Sequence, residues 1–312
     1  MKRTLILFRF VFLVLFCTPV AIAIAHPGWG IVVDKKGNVL FGDVNRDIVW
    51  KIDPQGRVTK FVVAKHSHIL KLDDSGILYG QHIEYVSQDK SWLFRYWRAT
   101  PDGKVADIDD QEAHRIFDLR DRSGNAYMLD SDAHRRIARI FKVSAQGDTA
   151  LLAGGEWGDE DGMGRAARFR TIGSAMWGRD GSLIVASGGI VRRVLSDGSV
   201  TTLAGKNDGL GDPDGPNASG ILGLASDSIG NIYAASWEKH KVIKISPNGE
   251  VRTILESGTF WIPTGVTVVG TDIYVLEHRA GIGTLMERAG LGGPRVRKIS
   301  ANGKIKIIGT AP

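Results

Sequence analysis

"DRSGNAYMLDSDAHRRIARI", residues 121–140, decides how this chain is read, because the chain writes it three times. "DKKGNVLFGDVNRDIVWKI" (34–52) and "DSIGNIYAASWEKHKVIKI" (227–245) keep its order: an aspartate, a Gly-Asn turn, a short apolar run, a polar turn and a second apolar run. Glycine and asparagine tolerate the positive φ of tight hairpins, so each phrase predicts two antiparallel strands. Self-similarity at a fixed spacing predicts an array of equal units.

Working outward from the turn aspartates gives six units. Their first, inner strands are expected at Gly30–Asp34, Ile69–Asp73, Ile116–Asp121, Ala175–Arg179, Leu222–Asp227 and Gly265–Val269. Short β-branched or aromatic second strands follow each turn, then a third strand, then a fourth after a DG-, QG- or NG-type turn. No segment carries a long helical period. Six units of four strands predict an all-β, six-bladed β-propeller of four-stranded antiparallel blades, which leaves few open sheet edges. The last unit ends on its own outer strand, so closure is expected from packing of the first blade on the last, without strand exchange.

Residues 1–25 read as a signal peptide. Lys2 and Arg3 precede an apolar run to Ile24 that only Arg9 interrupts, and Ala23-Ile24-Ala25 fits a small-x-small cleavage site. The expected mature domain is 26–312, periplasmic or extracellular, with attachment to a membrane only if the segment stays uncleaved. Cleavage removes Cys17, the one cysteine, and lowers the formal charge from +6 to +3. So mild an excess gives no footprint for nucleic acid. A monomer is expected, stabilised by core burial alone.

"AGGEWGDEDGMGRAARF" (153–169), its second copy "AGKNDGLGDPDGPNA" (204–218) and the GN-Y-x-x-D hairpins resemble the NHL-repeat family of propellers. The resemblance implies a propeller over the whole mature chain. It says little about chemistry, since that broad class includes partner-binding platforms, gluconolactonase-like hydrolases and a zinc-dependent amidating lyase. It also implies structural duties for Asp43 and Asp130, as binders of loop amides.

Up-and-down connectivity puts the beginnings of the inner strands and the ends of the second strands on one face. The beginnings are Trp29, His68, Ile116, Gly173, Leu222 and Gly265, and the ends are Asp43, His82, Asp130, Ser187, Ser236 and Glu277. The funnel they ring is the expected ligand site, with Trp29, His68, His82, Asp130, Glu277 and Arg279 as candidates. His68, His82 and Glu277 are the candidate ligands for one divalent metal, zinc or calcium. His66 and His114 lie two positions before the expected register and are read as pointing elsewhere, which argues against a three-histidine zinc site.

Other features read as structural. His134 and His240 sit alike before third strands, Asp159–Asp161 and Asp212–Asp214 read as turns, and Arg192-Arg193 and Arg295–Lys298 read as solvated edges. The glycine-rich loop 277–294 is expected to hang over the funnel face, and the aromatics Tyr85, Trp92, Tyr96 and Trp97 are either functional or packed between blades. No phosphate loop, GxSxG elbow or paired CxxC is present. The leading expectation is a binding module for a small molecule, glycan or protein partner. The alternative is a metal-dependent, lactonase-like hydrolase or lyase.

Overall fold

The computed structural model describes residues 28–86, 91–132, 135–205, 220–280, 286–287 and 289–312. They form six antiparallel sheets, each built from consecutive strands. Blade 1 holds β1 (Ile31–Val33), β2 (Val39–Asp43), β3 (Ile48–Ile52) and β4 (Val58–Val63). Blade 2 holds β5 (Ile69–Leu72), β6 (Leu78–Val86), β7 (Ser91–Ala99) and β8 (Val105–Asp107). Helix α1 (Asp110–Phe117) leads into blade 3, with β9 (Leu119–Arg120), β10 (Ala126–Asp132), β11 (Ile137–Val143) and β12 (Thr149–Ala153). The short β13 (Gly162–Met163) precedes blade 4, formed by β14 (Ile172–Trp177), β15 (Leu183–Ser187), β16 (Ile190–Val194) and β17 (Ser199–Ala204). Blade 5 is β18 (Ile221–Ser226), β19 (Ile232–Ser236), β20 (Lys241–Ile245) and β21 (Val251–Glu256). Blade 6 is β22 (Trp261–Val269), β23 (Asp272–Arg279), β24 (Arg295–Ile299) and β25 (Ile305–Thr310).

The repeated phrase has a direct physical cause. In blade 5 one oxygen of Asp227 accepts the backbone N–H groups of Ile229 and Asn231, and the other accepts Asn231 Nδ2 (2.5 Å) and Tyr233 OH (2.9 Å). Asp121 binds Ser123, Asn125 and Tyr127 in the same way in blade 3. A short carboxylate thereby closes the turn and clamps the next strand. The second strands of blades 1, 4 and 5 are buried at every position, because a neighbouring blade covers each face. They therefore read as near-continuous apolar runs.

Apolar clusters join blades 1 and 2, 3 and 4, 4 and 5, and 5 and 6. Another joins blade 6 to blade 1, through Tyr274, Leu276 and Val296 against Phe41, Trp50 and Ile52. Closure thus rests on packing, and Thr264 Oγ1 donates to the Gly28 carbonyl (2.9 Å) across the same seam. Blade 4 gains a fifth strand, because β13 in the connector pairs with β17 at its outer edge.

One expected strand begins late. Residues 110–117 are helical, so the inner strand of blade 3 starts at Leu119 and not at Ile116. Asp109 caps the helix by accepting Glu112 N–H (2.8 Å). Lys71 of β5 donates to the Ile116 carbonyl at its other end (2.8 Å), where a cation is favoured. Burial holds the Lys71 amine below its usual range, partly offset by Asp118. Among the described residues no apolar cluster joins blades 2 and 3; α1 occupies that joint.

Candidate functional site

The connection from β4 to β5 carries His66, Ser67 and His68. Ala64 ends β4 in a left-handed turn, φ 58°. Ser67 turns inward, and its Oγ accepts Trp97 Nε1 (3.1 Å), tying the connection to the apolar core of blades 1 and 2. Gly42 of β2 is bare where the Ser67 carbonyl crosses: a Cβ there would stand 2.7 Å from that oxygen. The His68 carbonyl accepts the N–H groups of Trp29 (3.0 Å) and Gly30 (2.8 Å), which ties blade 1 to blade 2 at the same point.

His66 and His68, two positions apart, are left to share one side, and His82 of β6 meets them. Ring centroids are 4.4 Å apart for His66 and His82, 4.8 Å for His66 and His68, and 5.8 Å for His68 and His82. One nitrogen from each ring lies within 4.8 Å of the others. Trp29 borders the group, its ring 5.7 Å from that of His68. His68 is buried, and His66 and His82 are partly open to solvent.

The hydrogen bonds assign the tautomers. Asp47, in the second-to-third-strand turn of blade 1, takes φ 55° and places Oδ1 2.7 Å from His66 Nδ1. A carboxylate only accepts, so His66 carries its hydrogen on Nδ1 and presents the Nε2 lone pair. His68 Nδ1 accepts the Ile83 N–H (3.1 Å), so neutral His68 carries its hydrogen on Nε2. Burial, and then the neighbouring His66, hold the His82 imidazole below its usual range.

The other candidates lie in separate surroundings. Glu277 is fully buried between Arg295 (2.5 Å) and Arg297 (3.3 Å), and it is not among the clustered histidines. Arg279 stacks over Trp261 (5.1 Å), and its N–H donates to Glu287 (2.9 Å). Glu287 is buried, accepts Asn45 Nδ2 (3.0 Å) and lies 3.6 Å from His278, so it moors the long loop of blade 6 to blade 1. Asp130 pairs with Arg139, its partner across the ladder. Asp43 binds Arg46 (2.6 Å) and Trp50 Nε1 (3.1 Å) rather than loop amides.

Several expectations need correction. His66 does not point elsewhere; it belongs to the cluster. His114 lies on α1 beside Asp118 (3.1 Å), apart from the cluster. Arg192 is no solvated edge: it is 1 % exposed, stacks on Phe169 (4.8 Å) and binds Asp161 (2.6 Å) and the Glu160 carbonyl (2.5 Å). Connector 159–169 folds over that strand, and Asp159 and Asp161 serve it structurally by holding Arg170 and Arg192. Trp97 is packed between blades 1 and 2. His240 is a turn residue at φ 54°, bonded to the Gly258 carbonyl (2.8 Å), and Arg136 (φ 51°) holds the matching left-handed position in blade 3. His134, Asp212–Asp214, segment 1–25 and residues 281–285 lie outside the described residues, as do the side chains of Tyr85 and Trp92.

No protein-family model and no curated protein matches the sequence. Solved structures do. A puromycin hydrolase is 20 % identical, with a TM-score of 0.50, over 92 % of this chain and 46 % of its own. A gluconolactonase from Xanthomonas campestris is 13 % identical, with a TM-score of 0.49, over 80 % and 83 %. A virginiamycin B lyase from Staphylococcus aureus is 14 % identical, with a TM-score of 0.46, over 90 % and 83 %. At such identities the likeness is one of propeller fold, and fold does not carry function.

Proposed function

We propose that this protein is an exported binding propeller that takes a small molecule at the mouth shared by blades 1 and 2. The observation that carries this reading is the convergence of His66, His68 and His82, with nitrogens within 4.8 Å of one another, beside Trp29. An aromatic wall next to a few convergent polar groups is the ordinary make-up of a ligand site. Export is supported by the charged start, the apolar run and Ala23–Ala25. The clamped hairpins support an NHL-like assignment among propellers.

A thermal-shift screen of small molecules and glycans against wild type and a Trp29→Ala, His82→Ala double variant tests this. Hits that vanish in the variant support the site; hits that persist reject it. The imidazole cluster also favours a second reading, a metal-dependent hydrolase or lyase. Turnover of lactone or cyclic-ester substrates, lost in the same variant, separates it from simple binding.

A further inference from the structure

We infer that the mouth of blade 2 binds one divalent transition-metal ion through His66 and His82, with Asp47 orienting His66 and His68 standing beside the ion without ligating it. This deepens the binding reading, on which it rests, by naming what joins ligand to protein.

The donor chemistry selects the metal class. Neutral imidazole nitrogen suits zinc, copper or nickel, whereas calcium takes oxygen ligands. Asp47 holds His66 Nδ1 at 2.7 Å and so leaves Nε2 to ligate, the carboxylate–histidine–metal arrangement. The His82 ring, on β6, has its centroid 4.4 Å from that of His66. Zinc–nitrogen bonds of about 2.0–2.1 Å in a tetrahedron bring two nitrogens to roughly 3.3 Å. One nitrogen of each ring lies within 4.8 Å of the others, so side-chain rotation of the two rings is what closes a pair to that spacing.

His68 is the nearest third imidazole, and its bonding sets it apart. Its Nδ1 accepts the Ile83 N–H, so in the neutral ring that lone pair is committed and Nε2 carries a hydrogen. Ligation by His68 would break that bond on the strand that carries His82. Two protein nitrogens leave two positions of a four-coordinate ion for water or for a small molecule with an anionic donor such as a carboxylate.

The test is calorimetric titration of zinc chloride into the chelator-treated full chain, purified without a polyhistidine tag. Circular dichroism confirms the fold of each variant. Wild type is expected to take up about one ion, and His66→Gln or His82→Gln to weaken uptake by roughly 100-fold or more. Asp47→Asn is expected to weaken it by about 10- to 100-fold, and His68→Gln by less than about 10-fold. No uptake by wild type overturns the site, as does uptake unchanged in both ligand variants. A loss in His68→Gln equal to that in the ligand variants overturns the ligand assignment.

Should the variants misfold, wild type alone decides. Zinc must then shield His66 and His82 from diethyl pyrocarbonate, mapped by peptide mass spectrometry, and equal labelling with and without zinc overturns the site. The two readings fail separately. Screen hits that persist in chelated, zinc-refractory protein remove the metal and keep the binding reading. Zinc uptake with no hits at this mouth keeps the metal and removes the small-molecule reading.

Discussion

Blades 5 and 2 share one hairpin code but live in different surroundings. Blade 5 has strands of 6, 5, 5 and 6 residues and meets an apolar cluster on each side. Blade 2 has strands of 4, 9, 9 and 3 residues. It packs on blade 1 through Trp97, Leu70 and Leu78, while its other side meets α1 and spends Lys71 on helix carbonyls. The difference teaches where a repeat scaffold can place chemistry. Blade 5, covered on both sides, buries its second strand at every position. In blade 2 the long second strand carries His82, and the connection entering the blade brings His66 and His68 to meet it.

Changing the core under each blade gives the largest expected effects. Trp97→Ala should cost about 3–5 kcal/mol and Ile243→Ala in blade 5 about 2–5 kcal/mol, read from denaturant midpoints. Only the first should also weaken zinc uptake, because Trp97 Nε1 holds Ser67 between the two histidines. Equal zinc affinity in both variants would break the link between this core and the mouth.

A milder perturbation is Gly80→Ala, whose Cβ would stand 2.1 Å from the Trp97 ring. Overpacking of this kind should cost roughly 1–3 kcal/mol. Crystal structures of the variant should show the indole displaced; an unmoved ring would refute the contact.

The turn clamps come next. Tyr233→Phe in blade 5 should cost about 1 kcal/mol. Tyr79→Phe in blade 2 should cost less, its bond to Asp73 being 3.3 Å against 2.9 Å for Tyr233 and Asp227. The pH dependence has a definite sign. Burial, and then the Asp227 carboxylate, push the Tyr233 phenol from 10.0 up to about 12. The fold therefore favours the neutral phenol, and its contribution is complete below pH 10 and lost as pH rises through about 12. For Asp227, burial pushes upward but the bonds from Asn231, Tyr233 and the turn amides outweigh it and hold the carboxyl below 3.8. Its contribution is complete above that value and lost as pH falls through the lowered one. Alkaline unfolding midpoints should converge between wild type and Tyr233→Phe above about pH 12, and a constant gap would contradict the clamp.

The smallest effect belongs to Lys71→Met, which removes the cation from the end of α1. It should cost about 0.3–1 kcal/mol and raise amide exchange within 110–118 while leaving blade 5 unchanged. Uniform exchange across both blades would deny that the polar joint is local.

The hairpin chemistry made the fold legible, since Asp121, Asn125 and Tyr127 each have a bonding reason to recur. Two misses were legible too. Asp109 with Glu112 three positions on is a helix-capping pair. His66 and His68, two apart in a non-helical segment, belong on one side. Other features were hidden by tertiary structure. Burial of Arg192 depends on a connector folding back from residues 159–169. The pairing of Glu277 with Arg295 depends on a ladder closed across a long loop. Asp47 enters the site from another blade, which no local spacing reveals.

The most direct measurement is anomalous diffraction at the zinc edge from crystals of the full chain soaked in zinc chloride. A single strong peak about 2.0–2.1 Å from His66 Nε2 and from a nitrogen of His82, with the His68–Ile83 hydrogen bond intact, is the expected result. A peak only at Glu277 or elsewhere, or none under saturating zinc, would contradict the claim that blade 2 carries the site.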